Sequence, residues 1–232
     1  MRILRPAAER GHTAIGWLDS RHTFSFADYH DEVWMGFRAL RVINDDWVEA
    51  GQGFGTHGHR DMEIITWVLD GVLTHRDSTG GGGDLRHGDA QVMTAGSGIR
   101  HSEFNGSQTG RAHFLQTWIM PDRRSEKPAY GQTAIPAVDR DGRWAVIAAG
   151  GGRPAALPIA ADAAVLVASL APGQQLAYTL AAGRHAWLHV ASGTVEVDGQ
   201  RMQAGDGLGV SEESGLAINA SADSEVMLFD LA

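Results

Sequence analysis

The chain has 232 residues, with 19 Lys and Arg against 28 Asp and Glu, and its formal charge of -9 argues against direct electrostatic binding to nucleic acid or anionic lipid. It has no cysteine, which excludes disulfides and thiolate ligation and leaves His and carboxylates as the strong metal ligands. No apolar run reaches the roughly 18 residues of a transmembrane helix, and the first residues lack the apolar core of a signal peptide, so a soluble cytoplasmic protein is expected.

Glycine supplies 30 residues, about 13% against a usual value of roughly 7%, which predicts many turns between short strands. Residues 1–50 read as strand, turn and strand. Residues 21–29 alternate polar with apolar or aromatic side chains, predicting a half-buried strand, and 38–43 predict the next, ended by Asn44-Asp45-Asp46. His22 and His30 read as hydrogen-bonded or surface histidines.

Residues 64–69 predict a strand, Asp70-Gly71 a hairpin turn and 72–75 the returning strand. The glycine-rich stretch 78–84 has no following helix and no Lys-Ser/Thr pair, so it reads as a mobile turn and not as a phosphate-binding loop. Strands are predicted over 90–94, 99–104 and 113–120, with Gly96-Ser97-Gly98 turning between the first two. Residues 121–136 are charged and proline-containing and read as a connector. A second series of short strands follows over 144–152, 165–170, 175–180, 186–190, 194–197, 208–210 and 226–231. No long amphipathic helix is predicted, so the chain reads as all-β.

Two spaced pairs stand out: His57-x-His59 and His101-x-Glu103. Positions i and i+2 of a strand point the same way, about 6–7 Å apart. On neighbouring strands roughly 5 Å apart, the two pairs bring three imidazoles and a carboxylate to one point. Four such ligands leave one or two coordination positions open on an ion that prefers five or six, the arrangement for catalysis. The donor set suits Fe(II), Mn, Co, Ni, Cu or Zn. Glu63 competes with Glu103 for the fourth place, but it lies roughly 13 Å beyond His59 on an unbroken strand. Glu103 needs no bend and is preferred; Glu63 would orient a ligand from behind.

The chain also echoes itself. Val68-Leu69-Asp70-Gly71-Val72 followed by Gly88-Asp89 resembles Val190-Ala191-Ser192-Gly193-Thr194 followed by Gly205-Asp206. In that alignment Thr179 and Ala181 replace His57 and His59, and Ile218 and Ala220 replace His101 and Glu103. The second half reads as a copy of the first without its metal, with His185 and His189 structural or on the surface.

Three stretches carry a family resemblance: Arg21-His22-Thr23-Phe24-Ser25-Phe26, residues 53–63 (GFGTHGHRDME) and residues 93–103 (MTAGSGIRHSE). They resemble the pirins of the cupin superfamily, the weaker second half resembling the compact bacterial pirin-like quercetinases. Where the general cupin motif has proline this chain has Gly96, a departure that pirins share. The resemblance implies a bicupin of two facing jelly-roll β-barrels. It places an N-terminal metal-binding cupin domain at 1–125, a connector at 126–142 and a degenerate cupin domain without metal at 143–232. It implies His57, His59, His101 and Glu103 as ligands of one divalent transition metal ion, iron foremost, with Mn, Co, Ni, Cu and Zn as alternatives. The implied activity is quercetin 2,3-dioxygenase, in which O2 opens the ring of a flavonol and carbon monoxide is released. Glu103 is the expected catalytic base for the substrate's 3-hydroxyl. Phe54, Trp67, Val92 and Phe114 are candidates for an apolar lining. The expected partners are a small aromatic substrate and O2, with the chain a monomer and neither nucleic acid nor membrane bound. The alternatives are a metal-binding, redox-sensing regulator of a protein partner and a cupin using its metal only as a Lewis acid.

Overall fold

The structure is a computed structural model describing residues 1–232. The first half supplies β1 (Arg2–Arg5), β2 (Gly11–Ile15), β3 (Leu18–His22), β4 (Leu40–Val48), β5 (Gly53–His59), β6 (Glu63–Asp70), β7 (Val72–Asp77), β8 (Gly82–Arg86), β9 (Asp89–Thr94), β10 (Ile99–Asn105), β11 (Ala112–Ile119) and β12 (Ala129–Ala134). A single helical turn, α1 (Ala137–Arg140), leads into the second half. That half supplies β13 (Ala145–Ala149), β14 (Leu157–Pro158), β15 (Ala163–Leu170), β16 (Gln175–Thr179), β17 (His185–Ser192), β18 (Thr194–Val197), β19 (Gln200–Gln203), β20 (Gly207–Ser211), β21 (Gly215–Ala220) and β22 (Ser224–Leu231).

These strands form four sheets with one plan used twice. The order β12-β9-β6-β11-β4-β3-β2 faces β5-β10-β7-β8, and β1-β20-β17-β22-β15-β13-β14 faces β16-β21-β18-β19. Each unit is a jelly roll of two facing sheets, and no continuous ladder closes either into a barrel. The internal echo is therefore architectural. Asp89 accepts from the Arg86 amide at 2.7 Å, and its counterpart Asp206 accepts from the Gln203 amide at 2.8 Å.

Each unit borrows its edge strand. β1 pairs with β20 of the second unit. β12 lies inside the expected connector 126–142, yet it pairs along its whole length with β9 of the first unit.

The two larger sheets pack against each other, which explains why their central strands read as unbroken apolar runs instead of alternating. Every residue from Glu63 to Val68 is buried. Ile65 and Trp67 join Val165, Trp187 and Phe229 of the second unit in one core, whereas Ile64 and Val68 face the interior of the first. The interior of the second unit is a continuous core that includes Val195, Val197, Met202, Leu216 and Ile218. In the first unit two separate clusters, one around Phe114 and Leu73, the other around Ile64 and Met93, leave the middle free.

Several local expectations are corrected. The strand predicted over 21–29 ends at His22, and Phe24 to Tyr29 turn away, with Phe26 and Tyr29 bridging only each other. Asn44-Asp45-Asp46 does not end a strand but runs through β4, with all three side chains buried. Asp70-Gly71 is not a hairpin: β6 and β7 lie in different sheets, and the turn carries the chain across the sandwich. Gly71 has φ +76°, and a Cβ there would sit 2.5 Å from the Arg111 carbonyl oxygen, so the crossing requires glycine. Part of the expected loop 78–84 is strand, because β8 pairs with β7.

Candidate metal centre

The interior face of the larger sheet in the first unit is written in rows. Cross-strand pairing lines up Leu18 with Val48 and Ala112, then Ser20 with Asp46, Phe114 and Val68. The next row is His22, Asn44, Gln116, Thr66 and Gln91, a polar belt across five strands. Successive rows lie two residues apart on each strand, about 6–7 Å. The belt separates the two apolar clusters, and the candidate ligands on the facing sheet meet it.

β5 and β10 pair antiparallel with His57 opposite His101 and His59 opposite Ile99, which brings the two sequence pairs onto neighbouring strands. The His59 Nε2 lies 2.9 Å and the His57 Nε2 3.0 Å from the His101 Nε2. Beyond His101 the ladder slips, and Glu103 falls opposite Phe54. The extra residue lies on β5, between Phe54 and His57, while β10 keeps its register with β7 and sets Glu103 opposite His75. Glu103 groups with His101 and His75 within 4.8 Å, while His57, His59 and His101 form the other close group. His101 belongs to both.

The His57 tautomer follows from its hydrogen bond. His57 Nδ1 donates to the Gly55 carbonyl at 2.8 Å, which leaves its Nε2 as a lone pair. Asp77 Oδ2, 3.1 Å away, accepts from His75 Nε2. His75 Nδ1 lies 3.4 Å from His101 Nδ1 and 3.8 Å from Glu103 Oε1, so it braces both. Burial first, and then the neighbouring imidazoles, pull the pKa of His59 down to about 4. His101 is also lowered to about 4, chiefly by burial, against the pull of Glu103. Three imidazole nitrogens drawn to about 3 Å of one another are placed so that a cation between them would take their lone pairs. The donor set fits a divalent transition metal ion.

Glu103 is 1% exposed. Its Oε1 accepts from Gln91 Nε2 at 2.6 Å and its Oε2 from Gln116 Nε2 at 2.7 Å. Burial works to raise its pKa, but nearby His75 and His101 and the Gln91 donor outweigh it and hold the carboxyl below the usual range. Gln91 is itself braced by Thr66 at 3.0 Å and by the Tyr130 hydroxyl at 3.1 Å, and Gln116 accepts from Trp118 Nε1 at 3.1 Å. Tyr130 also stacks on His75, with ring centroids 4.4 Å apart and planes 14° from parallel.

Glu63 does not reach this cluster. It lies on the opposite face of β6, where its Oε2 accepts from Thr94 at 2.8 Å. Parity along the strand decides the matter: Glu63 shares its face with Ile65 and Trp67, which point at the second unit. His22 is held by Asn44 at 2.8 Å and Thr13 at 3.0 Å, and His30 is exposed, in keeping with the ordinary roles expected of both.

Beside the three imidazoles a cavity of ≈ 520 Å³ opens, with His57, His59 and Glu103 in its wall. Its apolar lining includes Trp17, Leu18, Phe26, Phe54 and Trp118. Of the four lining candidates, Phe54 contributes; Trp67 and Val92 belong to the core between the units, and Phe114 to an interior cluster. The cavity's polar lining includes Thr13, Ser20, His22, Asn44 and Asp46. Burial, with Asp45 and Glu103 nearby, pushes the Asp46 carboxyl up to about 7, against one hydrogen bond from Ser20.

Sequence reasoning missed His75, Asp77, Gln91, Gln116 and Asp46. A signal was present: Thr66, Gln91 and Gln116 are polar residues at interior positions of otherwise apolar strands.

The Pirin family pattern matches residues 4–119, and that of the quercetinase C-terminal cupin domain matches residues 146–231. The chain is 47% identical over 231 residues to a quercetin 2,3-dioxygenase of Escherichia coli, covering 100% of this chain and 99% of that one. It is 43% identical over 229 residues to a pirin-like protein of Caulobacter vibrioides, covering 98% of each. The crystal structure of YhhW from Escherichia coli superposes with a TM-score of 0.95 at 46% identity, covering 100% of this chain and 98% of that one. A nickel(II) complex of bacterial pirin YhhW superposes with a TM-score of 0.93 at 45% identity, covering 100% and 99%. With a family match in each half, relatives aligned over nearly their whole length and a clustered histidine site, this chain belongs to the pirin family of metal-binding cupins.

Proposed function

We propose that the protein is a quercetin 2,3-dioxygenase-type oxidoreductase that opens the ring of a flavonol with O2 and releases carbon monoxide. The observation that carries this reading is the convergence of three imidazole nitrogens beside a cavity lined by both aromatic and polar side chains. The similarity to the Escherichia coli dioxygenase supports it.

His57, His59, His101 and Glu103 would hold the ion. When bound, the ion would supply an electrophilic centre at which the substrate's 3-hydroxyl and O2 meet. Iron is the favoured metal, and nickel is the one present in a related structure. Glu103 is the base for the 3-hydroxyl proton. Its two carboxamide donors fix it in direction, so that it can take that proton without first finding its geometry. Trp17, Phe26, Phe54 and Trp118 offer faces and edges to a flat ligand and exclude water.

In this reading residues 1–125 are the metal-carrying domain and 143–232 its structural counterpart, with 126–142 connecting them while lending β12 to the first sheet. Every residue invoked comes from one chain, so a single protomer suffices.

The test is oxygen uptake coupled to carbon monoxide release, with quercetin as substrate and the metal-loaded protein as catalyst. Equal uptake and release, both lost in His101→Ala, is the expected result. Uptake without carbon monoxide, or no turnover by fully loaded protein, would reject the assignment.

A further inference from the structure

Asp46 is buried and lines the cavity, and its Oδ1 has no hydrogen-bond partner. An acceptor shut away from water without a donor is costly, and such groups persist where something else supplies the donor. Its position is set by the row pattern. Asp46 stands on the rung next to the polar belt, about 6–7 Å along the strand from the level of Gln116 and Asn44. Ser20 flanks it on β3 and Phe114 on β11. Ser20 lends the carboxyl one hydrogen bond, and nothing in the protein satisfies the other oxygen. The same cavity is lined by Trp17, Phe26 and Phe54, with Phe26 packed against His22 at 5.4 Å between ring centroids. A flat ring held in this cavity with one end at the imidazoles would share the space that Asp46 lines.

We propose that Asp46 is a specificity-determining residue, its carboxyl accepting a hydrogen bond from a ring hydroxyl remote from the metal-bound end of a polyhydroxylated aromatic substrate. Ionised or protonated, a carboxyl offers an acceptor, so recognition does not depend on its charge state. The inference rests on reading the cavity as the substrate's seat. It adds that the site distinguishes a ring carrying free hydroxyls from the same ring without them. A buried polar group left unpaired by the poorer ligand is the strongest physical basis for such discrimination.

The test is an anaerobic fluorescence titration of the nickel-loaded full-length protein, with Trp17 and Trp118 in the cavity wall as reporters. The ligands are quercetin and 3-hydroxyflavone, which keeps only the hydroxyl at position 3. Wild-type protein is expected to bind quercetin at least about tenfold more tightly. Asp46→Leu and Asp46→Ala are expected to bring that ratio below about threefold by weakening quercetin alone. Thermal melts accompany the titrations. Asp46→Leu removes an unpaired buried oxygen and is expected to melt no lower than wild type, which a residue with a purely structural role would not do. Asp46→Ala decides the question if the leucine variant does not fold. Variants that keep the wild-type ratio, variants that weaken both ligands in parallel, or a wild type that does not discriminate would each overturn the proposal. Oxygen uptake on the same preparations separates the two claims. The expected binding pattern without turnover sinks the dioxygenase reading and leaves Asp46 in place; turnover with Asp46-independent binding does the reverse.

Discussion

Asp77 Oδ2 accepts a hydrogen bond from His75 Nε2 at 3.1 Å, with both side chains fully buried, and His75 Nδ1 in turn lies 3.4 Å from His101 Nδ1. Neither residue belongs to the ligand pairs, yet together they brace the Nδ1 edge of His101 while its Nε2 edge meets His57 and His59. His75→Phe keeps the stack on Tyr130 and removes both nitrogens. Metal affinity is expected to fall by about 10- to 100-fold, as for lost outer partners of ligating histidines, with little change in melting temperature. Competition against a chelator measures it, and an unchanged affinity would show that His75 merely fills space.

Glu103 and Glu63 make a controlled comparison, since both are buried but on opposite faces of the first unit. Glu103→Gln is expected to lower both turnover and metal content, because a carboxamide cannot replace the charge and clashes with two donors. Glu63→Gln is expected to leave both close to wild type. The reverse order in a steady-state assay with metal analysis would refute the ligand set.

His189 faces the junction of the two units with neither ring nitrogen partnered. Burial, and then the Arg10 charge, lower its pKa to about 3, with Asp45 opposing. Arg10 and His113 meet Asp45 at 3.1 and 2.7 Å on the facing sheet. An unfolded histidine titrates near 6.5, so between about pH 3 and 6.5 the unfolded chain binds a proton that the folded chain refuses. This contribution is complete above about pH 6.5 and is lost as pH falls through that window. The melting temperature of wild type is expected to drop more steeply from pH 7 to pH 5 than that of His189→Leu. Equal slopes would remove His189 from the account.

The units are also joined by a buried clamp. Glu225 of β22 accepts from Trp67 Nε1 at 2.6 Å and from Arg140 Nη1 at 3.0 Å. Glu225→Ala leaves a buried guanidinium and an indole N–H uncompensated, with an expected loss of about 3–5 kcal/mol in chemical denaturation. A loss below about 1 kcal/mol would indicate that water replaces the carboxylate.

Much of this molecule was legible before any coordinates. The i, i+2 spacing placed His57 with His59 and His101 with Glu103 on shared faces, and the echo around Gly71 and Gly193 foretold two copies of one plan. Gly96, the departure from the general cupin motif, proves obligatory: at φ +46° a Cβ would lie 2.0 Å from the Glu126 carbonyl oxygen, and proline is excluded. What stayed hidden was long-range. Asn44-Asp45-Asp46 looks like a strand stop because local patterning does not reveal that Asp45 will meet Arg10, or that Asn44 and Asp46 will line a cavity. Asp70-Gly71 carries a hairpin's chemistry, and only the sheet partners show that the chain crosses there. The bulge opposite Glu103 leaves no trace in the spacing.

The central claim is that one chain holds one ion between His57, His59, His101 and Glu103. Titrating metal-free protein with nickel(II) in a calorimeter, wild type beside His101→Ala, tests it most directly. One site per wild-type chain and none in the variant is the predicted outcome; a full site retained without His101, in a variant that melts normally, would contradict it.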